Sequence, residues 1–222
     1  MHLDACTHRL LERVDVAEAQ AYVRTQLVPL YEGPERPAWS AVAERSRFIG
    51  TSDRPPDVGY RKMRPSGYVQ LCLVNDEVPP SPWALAVPPA AAAAAAPLEE
   101  RVRALCRLHF GAGELHFCVF AVLAPGGAIP THRDIPHDVN KKRFSHHLHW
   151  PLLNAGDTEY TIAGETFRME EGGLYEIDNM VPHATANRGD TYRVNLMIDW
   201  TPAHLAAERA RPSPPGDPRG GR

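Results

Sequence analysis

Glu114-Leu-His-Phe-Cys-Val-Phe-Ala-Val-Leu123 is the stretch that decides the fold. Before this point the pattern is mixed, with helical spacing over Val16–Tyr31 and Leu98–Phe110. From here the period drops to two, and it stays there for the next eighty residues. Leu115–Leu123, Ser145–Leu153, Glu159–Ile162, Thr166–Met169, Gly173–Ile177 and Tyr192–Trp200 all read as strands. Ala163-Gly164 is a tight hairpin turn between two of them, and Gly172-Gly173 and Arg188-Gly189-Asp190 mark further turns. Many short strands with regular turns predict a mainly β fold with flanking helices. The expected architecture is a double-stranded β-helix, that is, a jelly roll of the cupin-like kind.

Working outward, residues 1–111 read as a helical or mixed region packing on the core. Val16–Tyr31 carries apolar residues at helical spacing and ends at Gly33-Pro34, and Tyr68–Val74 is a strand flanked by turn residues. The prolines from Pro79 to Pro89 and the alanine run Ala90–Ala96 are either a linker or the start of the next helix. That helix, Leu98–Phe110, has Pro97 in its first turn and is closed by Gly111. Residues 112–203 form the expected catalytic core. Residues 204–222, rich in Pro, Gly and Arg, read as a disordered tail.

Composition narrows the function. The 222 residues carry 24 Lys and Arg against 27 Asp and Glu, a net charge of −3 that gives no electrostatic case for nucleic acid. No stretch approaches the ~20 apolar residues that span a bilayer, and no signal peptide is visible at the N-terminus. The four cysteines are scattered without a CxxC pair, which points to free thiols and a reducing cytoplasm. Oligomeric state is not legible.

His132-Arg133-Asp134 is an HxD triplet, and in extended backbone its outer side chains share a face. His183 follows 51 residues after His132. Two imidazoles and one carboxylate make the facial triad of non-haem Fe(II) oxygenases, with open positions for an oxo-acid and O₂. In a chain with 11 histidines the bland alternative is a surface histidine beside a turn aspartate. Arg193, ten residues after His183, weighs against that alternative. It sits in a strand with Asn195 on the same face, and its planar fork suits the distal carboxylate of 2-oxoglutarate. Trp150, Trp200 and Tyr160 are core or pocket wall.

The stretch Leu115–Trp200 resembles the aspartyl/asparaginyl β-hydroxylases, a family that includes bacterial proline 3-hydroxylases. The matching features are Pro125-Gly-Gly-x-Ile-Pro-x-His132-x-Asp134, His146-His147-Leu148, Ile177-Asp178 with His183, and Arg193 with Asp199-Trp200. The resemblance implies Fe(II), 2-oxoglutarate and O₂ as cofactors. It further implies hydroxylation at C3 of an amino acid, free or within a peptide. His132, Asp134 and His183 would hold the metal, and Arg193 and His147 the cosubstrate. Ser145, where relatives often carry an arginine, is the companion position to His147, with Arg143 and His146 as cationic substitutes. Asp134 aligns the chain with the full-triad proline hydroxylases rather than the animal enzymes that lack this carboxylate. Asp178 either orients His183 or forms a turn with Asn179. Arg143, Arg168 and Arg188 are candidate partners for a substrate carboxylate. Two rival readings stand beside this one: a cupin-type metal enzyme that does not use 2-oxoglutarate, and a non-catalytic β-sandwich binding module.

Overall fold

The structure is a computed structural model, and it describes residues 7–32, 66–75, 84–134, 144–154 and 157–210. Ten strands form the sheet: β1 (His8–Arg13), β2 (Ser66–Asn75), β3 (Ala84–Ala86), β4 (Gly113–His132), β5 (His146–Leu153), β6 (Thr158–Ile162), β7 (Glu165–Phe167), β8 (Gly173–Ile177), β9 (His183–Asn187) and β10 (Arg193–Pro202). Their order is β1-β8-β5-β10-β4-β9-β6-β7, with β2 on the other flank of β4 and β3 beside β2. The jelly roll expected from the two-residue period is present. Its first three strands come from the N-terminal 111 residues.

β4 is the corner of the fold. Up to Leu123 it lies between β10 and β2; from Ala128, which still pairs with Ser66 of β2, it leaves β10 and pairs with β9. The bend falls at Pro125-Gly126-Gly127, where Gly126 has φ 68°, a value that an L side chain adopts only under strain. The Ala163-Gly164 hairpin is formed as read, with Ile162 paired to Glu165 and both turn residues at positive φ.

The two faces of the sheet have different fates. Cys118, Phe120, Val122, Leu148, Trp150, Val194, Leu196, Ile198 and Trp200 face outward into the main core under the helices. Those helices are α1 (Ala17–Tyr22), a π turn (Val23–Leu27), α2 (Val28–Glu32), α3 (Pro89–Ala94) and α4 (Ala96–Phe110). α4 buries Leu98, Val102 and Cys106 at four-residue spacing, with roughly 2 kcal/mol available from each fully buried aliphatic side chain. Tyr22 stacks on Phe120 at 5.5 Å, locking the first helix to β4. The expected helix over Val16–Tyr31 is therefore formed, with a π turn ahead of Pro29, which has no N–H to give to Thr25.

The alanine run resolves to helix rather than linker, because Pro89 occupies the first turn of α3, where its missing N–H costs nothing. A helix, α5 (Ala206–Ala210), begins the stretch read as a tail, and residues 211–222 lie outside the described residues. No helix among the described residues is long and apolar enough to cross a membrane. Cys72, Cys106 and Cys118 are free thiols.

Candidate active site

Pairing of β4 with β9 builds a His-Asp-His cluster that could hold a metal ion. His132 and His183 are direct partners across this antiparallel ladder, so their rings lie side by side with centroids 4.2 Å apart. Each ring is fixed in the same way. His132 Nδ1–H donates to the carbonyl of Pro130 at 2.8 Å, and His183 Nδ1–H to that of Val181 at 3.0 Å. Both Nε2 atoms are left facing Asp134 Oδ1, at 3.4 and 3.8 Å. One ligand atom from each of the three residues lies within 4.8 Å of the others. Ligands about 2.1 Å from one ion sit roughly 3 Å apart when at right angles, so closure on a divalent metal needs shifts of under about 1 Å. Two neutral imidazoles and a carboxylate fit such an ion.

Asn179 holds the carboxylate. Its Nδ2 donates to Asp134 Oδ2 at 2.9 Å, and its carbonyl accepts from the Asp134 backbone N–H at 3.0 Å. Asp178 takes the turn role rather than the orienting one. Its Oδ1 accepts from the Met180 N–H, while Val181 orients His183. Asn179→Ala is expected to lower metal affinity about 10- to 100-fold with the fold retained, as a competition titration against a chelator would read. An unchanged affinity would mean that Asp134 needs no support.

Electrostatics divides the two histidines. Burial pushes His183 down to about 4, with the nearby Asp134 carboxylate only partly offsetting it. For His132 burial acts in the same direction, but the hydrogen bond and charge of Asp134 outweigh it and hold the imidazolium above its ordinary range. On acidification His132 therefore protonates first, and His183 only near pH 4. Manganese affinity should fall about tenfold per pH unit once His132 titrates, and steepen to about a hundredfold per unit only near pH 4. A two-proton slope already at pH 6 would contradict this order.

The inner face of the main sheet supplies the rest of the site. β10 presents Arg193, Asn195, Met197 and Asp199 inward, paired on one side with Leu123, Ala121, Val119 and Phe117 of β4. Arg193 is fully buried. Its Nη2 donates to the hydroxyl of Tyr160, its Cζ lies 4.9 Å from that ring's centroid, and its Nε has no partner. No carboxylate among the described residues pairs with it. Burial raises the Tyr160 hydroxyl, so the phenol stays protonated beside the guanidinium. Tyr160 packs in a core cluster with Ile162, Met169, Tyr175 and Ile177 and turns its hydroxyl to Arg193, whereas Trp150 and Trp200 belong to the main core.

β5 contributes a buried polar chain. Asn195 Nδ2 donates to His149 Nδ1 at 2.7 Å, His149 Nε2 meets His147 Nε2 at 3.1 Å, and His147 Nδ1–H donates to Asp199. Burial and the charges around it, from His147, Arg193 and His183, hold His149 neutral. One imidazole thus feels both the arginine and the ligand cluster. Ser145 is bonded to Thr201 at 2.8 Å. His146 is not a substitute for the absent arginine, because it points to the other face, 2.6 Å from Glu176 and stacked on Phe110. Arg143 lies outside the described residues. Arg168 and Arg188 make exposed ion pairs with Asp157 and Glu159.

Residues 88–202 match the sequence model of the Aspartyl/Asparaginyl beta-hydroxylase family. The chain belongs to that family. Its jelly roll is shared with a prolyl hydroxylase from Trichoplax adhaerens, solved in complex with a hypoxia inducible factor oxygen degradation domain peptide fragment. That structure is 14% identical, with a TM-score of 0.50 over 94% of this chain and 88% of that one. A prolyl-4-hydroxylase from Pseudomonas putida is 16% identical, covering 90% of this chain and 95% of that one at a TM-score of 0.44. A non-heme monooxygenase solved as a nickel complex is 14% identical over 88% and 74%, with a TM-score of 0.49. No curated protein matches this β-hydroxylase family member in sequence.

Proposed function

We propose that the protein is an Fe(II)- and 2-oxoglutarate-dependent oxygenase that hydroxylates the β-carbon (C3) of an amino acid, free or as an Asp- or Asn-type residue in a peptide. The observation that carries this reading is Arg193, a buried guanidinium with a free Nε and no carboxylate partner among the described residues. A buried cation is costly unless a ligand pairs with it. A dicarboxylate that reaches from the His132–Asp134–His183 cluster to Arg193 meets both needs, which favours it over a cupin chemistry that has no distal carboxylate to hold.

Iron, 2-oxoglutarate and O₂ supply the oxidising power, with decarboxylation to succinate and CO₂ coupled to insertion of one oxygen atom into a C–H bond. The protein's own residues bind and orient. His132, Asp134 and His183 hold the metal, and Asn179 aims the carboxylate. Arg193 and the Tyr160 hydroxyl take the far carboxylate of the cosubstrate, with His147 and Ser145 as further cosubstrate-side positions. The ligand cluster is the more open end, with Asp134 20% exposed against 1% for Arg193, so the substrate approaches from there. The free thiols support a reducing cytoplasmic setting.

The test is anaerobic addition of 2-oxoglutarate to Fe(II)-loaded protein. The expected result is a charge-transfer absorption band, followed in air by succinate formation that amino acids or peptides stimulate. The absence of a band would overturn the reading.

A further inference from the structure

Three polar atoms on the inner face of the sheet are buried without a hydrogen-bond partner: Gln70 Oε1, Asn195 Oδ1 and Arg193 Nε. Register brings them together. Gln70 and Asn195 both pair with Ala121 from opposite sides, and one step along the strands Tyr68 and Arg193 both pair with Leu123. Two carboxamides therefore flank a single methyl group, with strand neighbours about 4.8 Å apart and Arg193 about 7 Å along the strand. Each carboxamide is anchored at one end only. Gln70 Nε2 bonds the Tyr68 hydroxyl at 2.8 Å, and Asn195 Nδ2 bonds His149 at 2.7 Å. Buried polar groups are ordinarily satisfied, so two free amide oxygens and a free guanidinium N–H in neighbouring positions mark a place where a ligand completes them.

The charge of Arg193 decides which ligand. An ammonium group over Ala121 would sit beside an uncompensated guanidinium, whereas a carboxylate is attracted to it. Amides adapt to either, because a half-turn exchanges oxygen for NH₂. With an anion present, Tyr68 O–H donates to Gln70 Oε1 so that the Gln70 NH₂ turns inward, and Asn195, whose Nδ2 gives one N–H to His149, has a second N–H to give the anion.

We propose that Gln70 and Asn195 form, with Arg193, a carboxylate cradle over Ala121 that selects a 2-oxo acid bearing a second carboxylate. This rests on the reading of the site as a 2-oxoglutarate site and adds to it two binding residues from strands β2 and β10.

The experiment titrates anaerobic Fe(II)-loaded protein with 2-oxoglutarate and with pyruvate, which chelates the metal alike but has no far carboxylate. Absorption reports both. Wild type should prefer 2-oxoglutarate by about a hundredfold or more. The near-isosteric Gln70→Met and Asn195→Leu should each cut that preference about tenfold while leaving pyruvate binding unchanged. Gln70→Glu, which sets a carboxylate beside Arg193, should cut it about a hundredfold. Pyruvate binding is the internal check on folding. A preference unchanged in Gln70→Glu and Asn195→Leu, or equal loss of both acids in every variant, overturns the cradle while the cosubstrate reading stands. A wild type that shows no preference overturns both.

Discussion

Arg193→Ala should raise the 2-oxoglutarate concentration needed for half-maximal turnover by about 100- to 1,000-fold and change metal affinity by less than about threefold. The size follows from the environment. Removing one partner from a buried, charge-assisted pair costs about 3–5 kcal/mol, and each 1.4 kcal/mol is a factor of ten. The selectivity follows from place. Arg193 bonds Tyr160 and reaches none of His132, Asp134 or His183 by any hydrogen bond or ion pair. A second consequence separates a ligand-binding arginine from a structural one. In the metal-free protein the guanidinium is buried with an unpartnered Nε, and only the hydroxyl and ring of Tyr160 offset its desolvation. Arg193→Met, which keeps the bulk and removes the charge, should leave the melting temperature of the metal-free protein unchanged or higher. It should also abolish the stabilisation that 2-oxoglutarate confers on the metal-loaded protein. A large drop in melting temperature, or parallel losses in metal and cosubstrate affinity, would make Arg193 a structural residue.

The ligand cluster was legible because its residues announce themselves. An HxD triplet in extended backbone, a histidine 51 residues later and an arginine ten beyond it need only strand alternation to be placed. The register adds what spacing alone does not supply, that His132 and His183 are cross-strand partners. The rest of the inner face was hidden by a general ambiguity of barrels. On a strand of an open sheet a polar residue every second position reads as the solvated face, but in a closed roll that same face lines the site. Gln70 and His149 therefore look like ordinary strand polarity; Asn195 is linked to the site by its spacing from Arg193, and Tyr160 reads only as core or pocket wall. Asn179 reads from the sequence only as the turn partner of Asp178. The turn is real, and its second residue spends its side chain on Asp134.

Three strands escaped the pattern: β3, Ala84-Leu-Ala86, lies among the prolines of the stretch read as linker or helix start, and the other two escaped for opposite reasons. β9, His183-Ala-Thr-Ala-Asn187, has small and polar residues where strand propensity asks for branched and aromatic ones. It is held by neighbours on both sides, β4 and β6. β1, His8-Arg-Leu-Leu-Glu-Arg13, has good helix formers and no alternation. Its strand state comes from pairing with β8 and from Arg9, which bonds the buried Glu176 at 2.8 Å alongside His146. In both cases tertiary pairing overrode local preference. The sequence places closely the two helical stretches with clear apolar stripes, Val16–Tyr31 and Leu98–Phe110, because those stripes do not depend on distant partners, whereas the short α5 falls in the stretch read as a tail.

The second large effect is expected at His183. His183→Ala should bring succinate formation down by about a thousandfold or more and weaken metal binding by at least about a hundredfold, because it removes one of only three protein ligands. The fold should survive, since β9 pairs through its backbone and already carries alanine at 184 and 186. Position 183 is also where the loss is hardest to compensate. Of the two imidazoles His183 stays unprotonated further into acid, and nothing else among the described residues offers a third donor within reach of His132 and Asp134. Asp178→Ala is the matched control. It loses the Met180 turn contact but leaves the bond from His183 to Val181, so it should cost far less activity than His183→Ala. If His183→Ala turned over 2-oxoglutarate at the wild-type rate, the shared face of these three residues would be a coincidence of strand register, and the site would have to be sought elsewhere in the roll.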